Sequence, residues 1–309
     1  MIMDKTAVAS PSGKNVIFTN HFPVMKDLSL RYTVSPSPDS LPDRYGTIIL
    51  LQDKDNFVET DCDTISCLNA RGFHVVTYDW HAQSRLKLDH GGTQASDFRF
   101  NRKILDAFFH TIVLPDFPSP FYILAEGAGG LFALNVHDIL RKQIYRMVIV
   151  SPILEVAGHR ANSLYHHYMR FISLISLNND RKNYHANRNN SSLTDGTQQE
   201  RKPIHKITWL KPQWHKMVLN AVAYVLSPAY CEHMVLPTLF IVPDHDPVSD
   251  PRLTREFARK LRMAESITIH GAGHNILNDK ACYRNQFWKA FDTFIPGSCT
   301  LTSPSPDRR

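Results

Sequence analysis

Apolar runs bounded by turn-forming residues recur along the chain at intervals that suit alternating strands and helices. Eight of these runs predict strands: Asn15 to Thr19, Leu28 to Val34, Thr47 to Leu51, Phe73 to Tyr78, Phe121 to Ala125, Met147 to Val150, Thr238 to Val242 and Ile267 to Ile269. The first two lie close enough in sequence for an antiparallel pair. Stretches of helical length separate the later ones, among them Thr60 to Ala70, Asp97 to Val113, Leu131 to Leu140 and Leu253 to Leu261. That spacing predicts right-handed crossovers in a mostly parallel sheet, hence an α/β fold with helices covering both faces.

Between Ser151-Pro152 and Pro237 the alternation stops. Tyr165 to Leu177 is aromatic with helical spacing, Asn178 to Gln199 is polar and asparagine-rich, and Trp209 to Val225 is helical in pattern again. The organisation this predicts is a core of residues 1–152 and 237–296 with a helical cap, 153–236, inserted after the sixth strand. A floppy polar link is expected within the cap, and a disordered tail over residues 297–309. No internal repeat interrupts the pattern.

Composition bounds this picture more than it changes it. With 309 residues, 43% of them apolar, the chain can bury a substantial core as one large domain carrying an insert. Cys62, Cys67, Cys231, Cys282 and Cys299 form an odd, scattered set without a CxxC pair or zinc spacing, which fits inert thiols in a reducing compartment. The histidines show no consistent ligand spacing, so neither a metal nor another cofactor is expected. Met1 to Thr6 lacks the apolar segment of a signal peptide and no run is long enough to span a bilayer, so the expected location is cytoplasmic.

The net charge of +6 is unevenly spread, because residues 153–236 hold ten Lys/Arg against five acids. Such a surface could attract anionic membrane head groups, or could simply be a solvated face. No Lys/Arg run is dense enough to predict nucleic-acid binding.

The most informative stretch is Phe121-Tyr-Ile-Leu-Ala125-Glu126-Gly127-Ala128-Gly129-Gly130-Leu131, a buried strand, a glycine-rich turn and the start of a helix. It has the build of the nucleophile elbow G-x-S-x-G, in which a serine occupies a strained position at the tip of the turn. Here Gly127 stands at the tip, with neither hydroxyl nor thiol. Glycine takes up such a backbone without the ~1–3 kcal/mol a side chain would store, so the turn survives while the chemistry goes. Phosphate-loop alternatives fall away, since G-x-G-x-x-G would need glycine where Phe132 stands and GxxxxGK[ST] has no match.

Two later segments supply partners. Pro237-Thr-Leu-Phe-Ile-Val-Pro-Asp-His-Asp246 reads as a strand whose end carries acids, and Gly271-Ala-Gly-His274-Asn as a tight loop presenting a histidine after the last strand. Between Asp246 and His274 there is room for one helix and one strand. In this order Asp246 would orient and charge His274, which would shuttle a proton. The alternatives are that Asp244, Asp246 or Asp250 caps the helix beginning near Pro251, and that His274 is a satisfied loop histidine.

On these residues the chain resembles the lysophospholipase and monoacylglycerol-lipase-like branch of the α/β-hydrolases, particularly bacterial lysophospholipase-like proteins. The likeness runs from about Leu28 to Pro296 and is sharpest from Gly271 to Phe291. Further matches are Tyr78-Asp79-Trp80, Ser151-Pro152 and Leu193-Thr194-Asp195. The resemblance implies an α/β-hydrolase fold with an eight-stranded sheet, a ligand that is an acyl ester or lipid, and Asp246 and His274 as acid and base. The nucleophilic serine of that branch falls on Gly127.

Other site features depart as well. The third strand of the family ends Gln-Gly or His-Gly and supplies an oxyanion-hole amide, whereas here Gln52-Asp53-Lys54 stands. Arg-Gly-Gln-Gly becomes His81-Ala82-Gln83-Ser84, and the elbow histidine becomes Glu126. The amide of Ala128 would still point at an acyl oxygen, but Asp53 and Glu126 would set negative charge against a developing oxyanion.

Three functions fit. One is a descendant without serine-hydrolase activity that binds an acyl lipid, a small ester or a protein partner. A second is an ester hydrolase with a substitute nucleophile or a His274-activated water. The third is an enzyme using the His274/Asp246 dyad as a general base, by analogy with cofactor-free dioxygenases of this fold.

Overall fold

A computed structural model describes residues 6–9, 16–25, 28–38, 45–53, 60–78, 98–154 and 212–296. In chain order the elements are β1 (Thr6–Ala9), β2 (Val16–Met25), β3 (Leu28–Ser35), β4 (Gly46–Leu51), α1 (Cys62–Asn69), β5 (Phe73–Tyr78) and α2 (Phe98–Phe108). A π-helical turn (Phe109–Val113) leads to α3 (Leu114–Asp116), β6 (Phe121–Glu126), α4 (Ala128–Leu140) and β7 (Ile144–Val150). The chain ends with α5 (Pro212–Val225), α6 (Pro228–His233), β8 (Thr238–Pro243), α7 (Pro251–Lys260), β9 (Ala264–Ile269) and α8 (Ala281–Phe294).

The nine strands of the described residues form one sheet in the order β1-β2-β3-β5-β4-β6-β7-β8-β9. The pairs β1·β2, β2·β3 and β3·β5 are antiparallel and every later pair is parallel. The eight predicted strands are present, and Thr6–Ala9 adds a ninth at the edge. Four residues of Thr-Ala-Val-Ala carry too little pattern to announce themselves; their pairing with Val16–Thr19 makes them a strand.

Every residue of β4, β5, β6 and β8 is buried, because alternate side chains enter two separate apolar layers. Ile49, Leu51, Ile123, Ala125, Ile149 and Phe240 face one layer, filled by side chains of α2, α4 and α7. Ile48, Leu50, Tyr122, Leu124, Val148 and Leu239 face the other, filled by α1 and α8. Each large side chain fully buried this way contributes roughly 1.5–3 kcal/mol, which anchors the central strands between the two layers.

The segment predicted as a cap is described only in part. Tyr165 to Leu177, the polar link, Leu193-Thr194-Asp195 and nearly all the basic residues behind the charge asymmetry lie outside the described residues, as do Asp79-Trp80, His81 to Ser84, Cys299 and the tail. Helices α5 and α6 are described, and they join the core layer. Val218, Ala221, Val225, Tyr230 and Met234 are buried in the same apolar cluster as the sheet, and the Tyr230 hydroxyl donates to the Leu134 carbonyl at 2.8 Å. Among the described residues no helix is long and apolar enough to cross a membrane.

Register positions the site. In the β4·β6 pair Leu51 lies opposite Ala125, so Asp53 and Gly127, each two residues further on, leave the sheet side by side. Helix α4 starts so close to the end of β4 that a Cβ at Gly129 would fall on the Leu51 and Gln52 carbonyl oxygens. Gly129→Ala is therefore expected to cost about 2–3 kcal/mol, seen as a lower urea midpoint at an unchanged slope.

Candidate active site

Five strand ends converge at the carboxyl edge of the parallel sheet, where α/β sheets place their ligand crevice. They bring Asp53 after β4, Gly127 after β6, Ser151 after β7, Asp246 after β8 and His274 after β9.

Gly127 adopts φ 56° and ψ −119°, in the region open to glycine but strained for a side chain. Four backbone bonds hold it: its N–H donates to the Val150 carbonyl at 2.9 Å, and its carbonyl accepts from Gly130 at 3.1 Å, Leu131 at 3.3 Å and Ile153 at 3.3 Å. The sharp strand-to-helix turn expected of an elbow is thus formed in full, with a hydrogen atom at its tip.

The space in front of that tip is occupied. A Cβ on Gly127 would collide with the Asp53 carboxyl group. Asp53 Oδ1 accepts from the Ala128 amide at 2.8 Å, so the amide expected to face an acyl oxygen is already engaged. Asp53 Oδ2 lies 3.8 Å from His274 Nε2, an ionic contact beyond hydrogen-bond length. The Asp53 side chain therefore occupies the space in front of the Ala128 amide and of the Gly127 tip together.

His274 and Asp246 are brought together as the sequence suggested. His274 Nδ1 lies 2.8 Å from Asp246 Oδ2. Asp246 does not cap the following helix; Asp250 takes that place, accepting from Arg252 N at 2.8 Å. Asp244 instead binds the Gly271 amide at 2.7 Å and the rings of His245 and His270. Two serines that sequence reading did not assign complete the frame. Ser249 Oγ donates to Asp246 Oδ2 at 2.7 Å, beside the Val248 amide on Oδ1 at 2.7 Å. Ser151 Oγ donates to the His274 carbonyl at 2.6 Å and anchors the histidine loop. Serine in a loop is common, and only tertiary proximity distinguishes these two.

Burial by itself would lower the proton affinity of His274. The Asp246 hydrogen bond and then the Asp53 carboxylate outweigh it and push the pKa up to about 10. Asp246 moves the other way: burial opposes its charge, but the His274 contact and its donors hold it below the usual carboxylate range. The pair is an imidazolium–carboxylate, with no free base to offer near neutral pH.

Glu126 is buried at the foot of the site. Burial first, then the Asp61 and Asp53 carboxylates, raise its pKa well above the ordinary value against the weaker pull of His274 and the Leu277 amide. The protonated form is favoured, so Glu126 brings less negative charge than its residue type suggested.

No serine or cysteine of the described residues lies within hydrogen-bond distance of His274 Nε2. Burial raises the Cys67 thiol above its ordinary pKa, which favours the protonated, unreactive form. Among the described residues, no cluster of His, Cys, Asp and Glu could hold a metal ion.

Residues 60–281 match the family model described as serine aminopeptidase, S33. No curated protein matches the chain in sequence. Among solved structures, it is similar to the monoacylglycerol lipase of Paleococcus ferrophilus, with a TM-score of 0.62 and 15% identity over 87% of this chain and 100% of that one. A soluble variant of monoglyceride lipase from Saccharomyces cerevisiae, in complex with a substrate analog, matches with a TM-score of 0.58 and 12% identity over 91% of this chain and 95% of that one. A lipase in an open form matches with a TM-score of 0.64 and 12% identity, covering 96% and 99% of the two chains. At such identities the likeness establishes the shared α/β-hydrolase fold.

Proposed function

We propose, from the premise that this chain belongs to the serine aminopeptidase S33 family of α/β-hydrolases, that it descends from lipase- and esterase-like enzymes, has lost serine-hydrolase activity and keeps its pocket for binding. Its occupant is an acyl lipid or small ester of the kind lysophospholipases and monoacylglycerol lipases act on, or else a protein partner. The observation that carries this reading is the Asp53 carboxylate, which stands where an attacking oxygen would be and takes the Ala128 amide.

Loss of a triad nucleophile leaves only about 10³–10⁴-fold catalysis over water in comparable enzymes, and much of that residue comes from the oxyanion hole. Here the hole is filled by a like charge, so even that remainder should be reduced. A route through His274-activated water is disfavoured because the imidazole already holds its proton between two carboxylates.

The experiment is a purified-protein screen against p-nitrophenyl butyrate and octanoate, monoacylglycerols and lysophospholipids, with His274→Ala as control. The expected result is turnover indistinguishable from that control and no labelling by a serine-directed fluorophosphonate. Robust hydrolysis by the wild type that His274→Ala abolishes would overturn the proposal.

A further inference from the structure

Asp53 reaches two anion-binding groups and satisfies only one. The first is the Ala128 amide at the N-terminus of α4, a helix of 13 residues whose dipole favours negative charge there. The second is His274 Nε2, buried, aimed at the same spot and without a hydrogen-bond partner among the described residues. The short side chain of Asp53, fixed to the end of β4, bonds the amide at 2.8 Å and stops 3.8 Å from the ring nitrogen. A carboxylate not tied to β4 could place one oxygen on each group. Burying a charged donor without a hydrogen-bond acceptor is costly, and such a ligand would relieve that cost.

We propose that this is a binding site for an external organic carboxylate, which displaces the Asp53 side chain and bridges the Ala128 amide and His274 Nε2. The inference rests on the binding role proposed above and names its ligand class: the free acid rather than the ester. Charge balance gives that preference. One carboxylate replaces another, so the neighbourhood of Asp61, Glu126 and Asp246 gains no net charge as Asp53 turns toward solvent, where its side chain is already 13% exposed. A neutral ester that displaced Asp53 would leave the imidazolium and the helix end without a counter-charge. Asp53 is thus a tethered competitor whose removal exposes the site.

The test is calorimetric titration of the full-length wild type, Asp53→Ala and Asp53→Asn with sodium octanoate and with methyl octanoate, while methanol release is followed separately. Asp53→Ala should bind octanoate at least about tenfold more tightly than the wild type, and methyl octanoate with less than about a twofold change. Asp53→Asn keeps the shape and the Ala128 bond but removes the charge, and it should also gain affinity for octanoate alone. In Asp53→Ala, a further His274→Ala change should cancel the gain. Equal octanoate affinity in wild type and both variants, or an equal gain for acid and ester, would overturn the inference, the second outcome making Asp53 a mere space-filler. Methanol release by the wild type would instead defeat the binding role itself, a result read independently of the affinities.

Discussion

Gly127→Ser alone will leave the protein without measurable p-nitrophenyl ester hydrolysis, whereas Asp53→Gly combined with Gly127→Ser will hydrolyse such esters at least about 100-fold faster than either single variant. The serine of the single variant would have its Cβ inside the Asp53 carboxyl group, at a backbone conformation that already strains a side chain. Even if the two side chains moved apart, the Ala128 amide would stay bonded to a carboxylate and could not stabilise an oxyanion. Removing Asp53 changes three things together. It clears the volume, frees the amide, and withdraws one of the two carboxylates that keep His274 protonated, bringing its proton affinity down toward the range of a general base. The effects are therefore coupled, and the double variant should exceed the sum of the singles. His274→Ala on that background should return the rate to baseline, which ties the recovered activity to the dyad. An active Gly127→Ser single variant would mean that Asp53 does not block the site.

How much of this was legible in the sequence depends on how local each feature is. The runs Thr47–Leu51, Phe73–Tyr78, Phe121–Ala125 and Thr238–Val242 are apolar because both faces of those strands are covered, and that pattern is written in consecutive residues. The turn at Gly127 is equally local, since its glycines and the following apolar stretch set both conformation and helix start. Strand order is less so: nothing near Phe73 reveals that β5 lies between β3 and β4, because that depends on how the crossover packs. The frame around the dyad, Ser151 on the His274 carbonyl and Ser249 on Asp246, joins residues brought close only by the folded sheet.

Asp53 lies between these cases. Its departure from the glycine that the family resemblance implies was visible, as was its conflict with oxyanion chemistry. What the residue list could not contain is the β4·β6 register, Leu51 opposite Ala125, which sets positions 53 and 127 side by side. Gly127 and Asp53, which look independent in sequence, are complementary in space: the Asp53 carboxyl group fills the volume that a side chain at position 127 would need. That complementarity explains why changing position 127 alone should fail to give an active enzyme.

Glu126→Gln will be more stable than the wild type at neutral pH, by a margin that widens as pH rises. Glu126 is fully enclosed, and burial followed by the Asp61 and Asp53 carboxylates raises its folded-state pKa well above the ordinary value. A group whose folded pKa lies above its unfolded one contributes stability that is fully present below the unfolded pKa and is lost as pH rises through the folded pKa. For Glu126 the loss begins near the ordinary glutamate pKa of about 4.3 and accumulates at up to about 1.4 kcal/mol per pH unit until the folded-state group ionises. Glutamine has the shape of the neutral acid and keeps an oxygen for the Leu277 amide, but it has no proton to lose. The groups facing Glu126, namely Asp61, Asp53, His274 and the Leu277 amide, are common to both proteins, so their own titrations largely cancel in the difference. Urea unfolding of the two proteins from pH 4 to 8 should give matching midpoints at the acid end and a growing advantage for Glu126→Gln above it. A constant offset across that range would show that Glu126 folds in its charged form, and that the foot of the site carries a full negative charge beside Asp53.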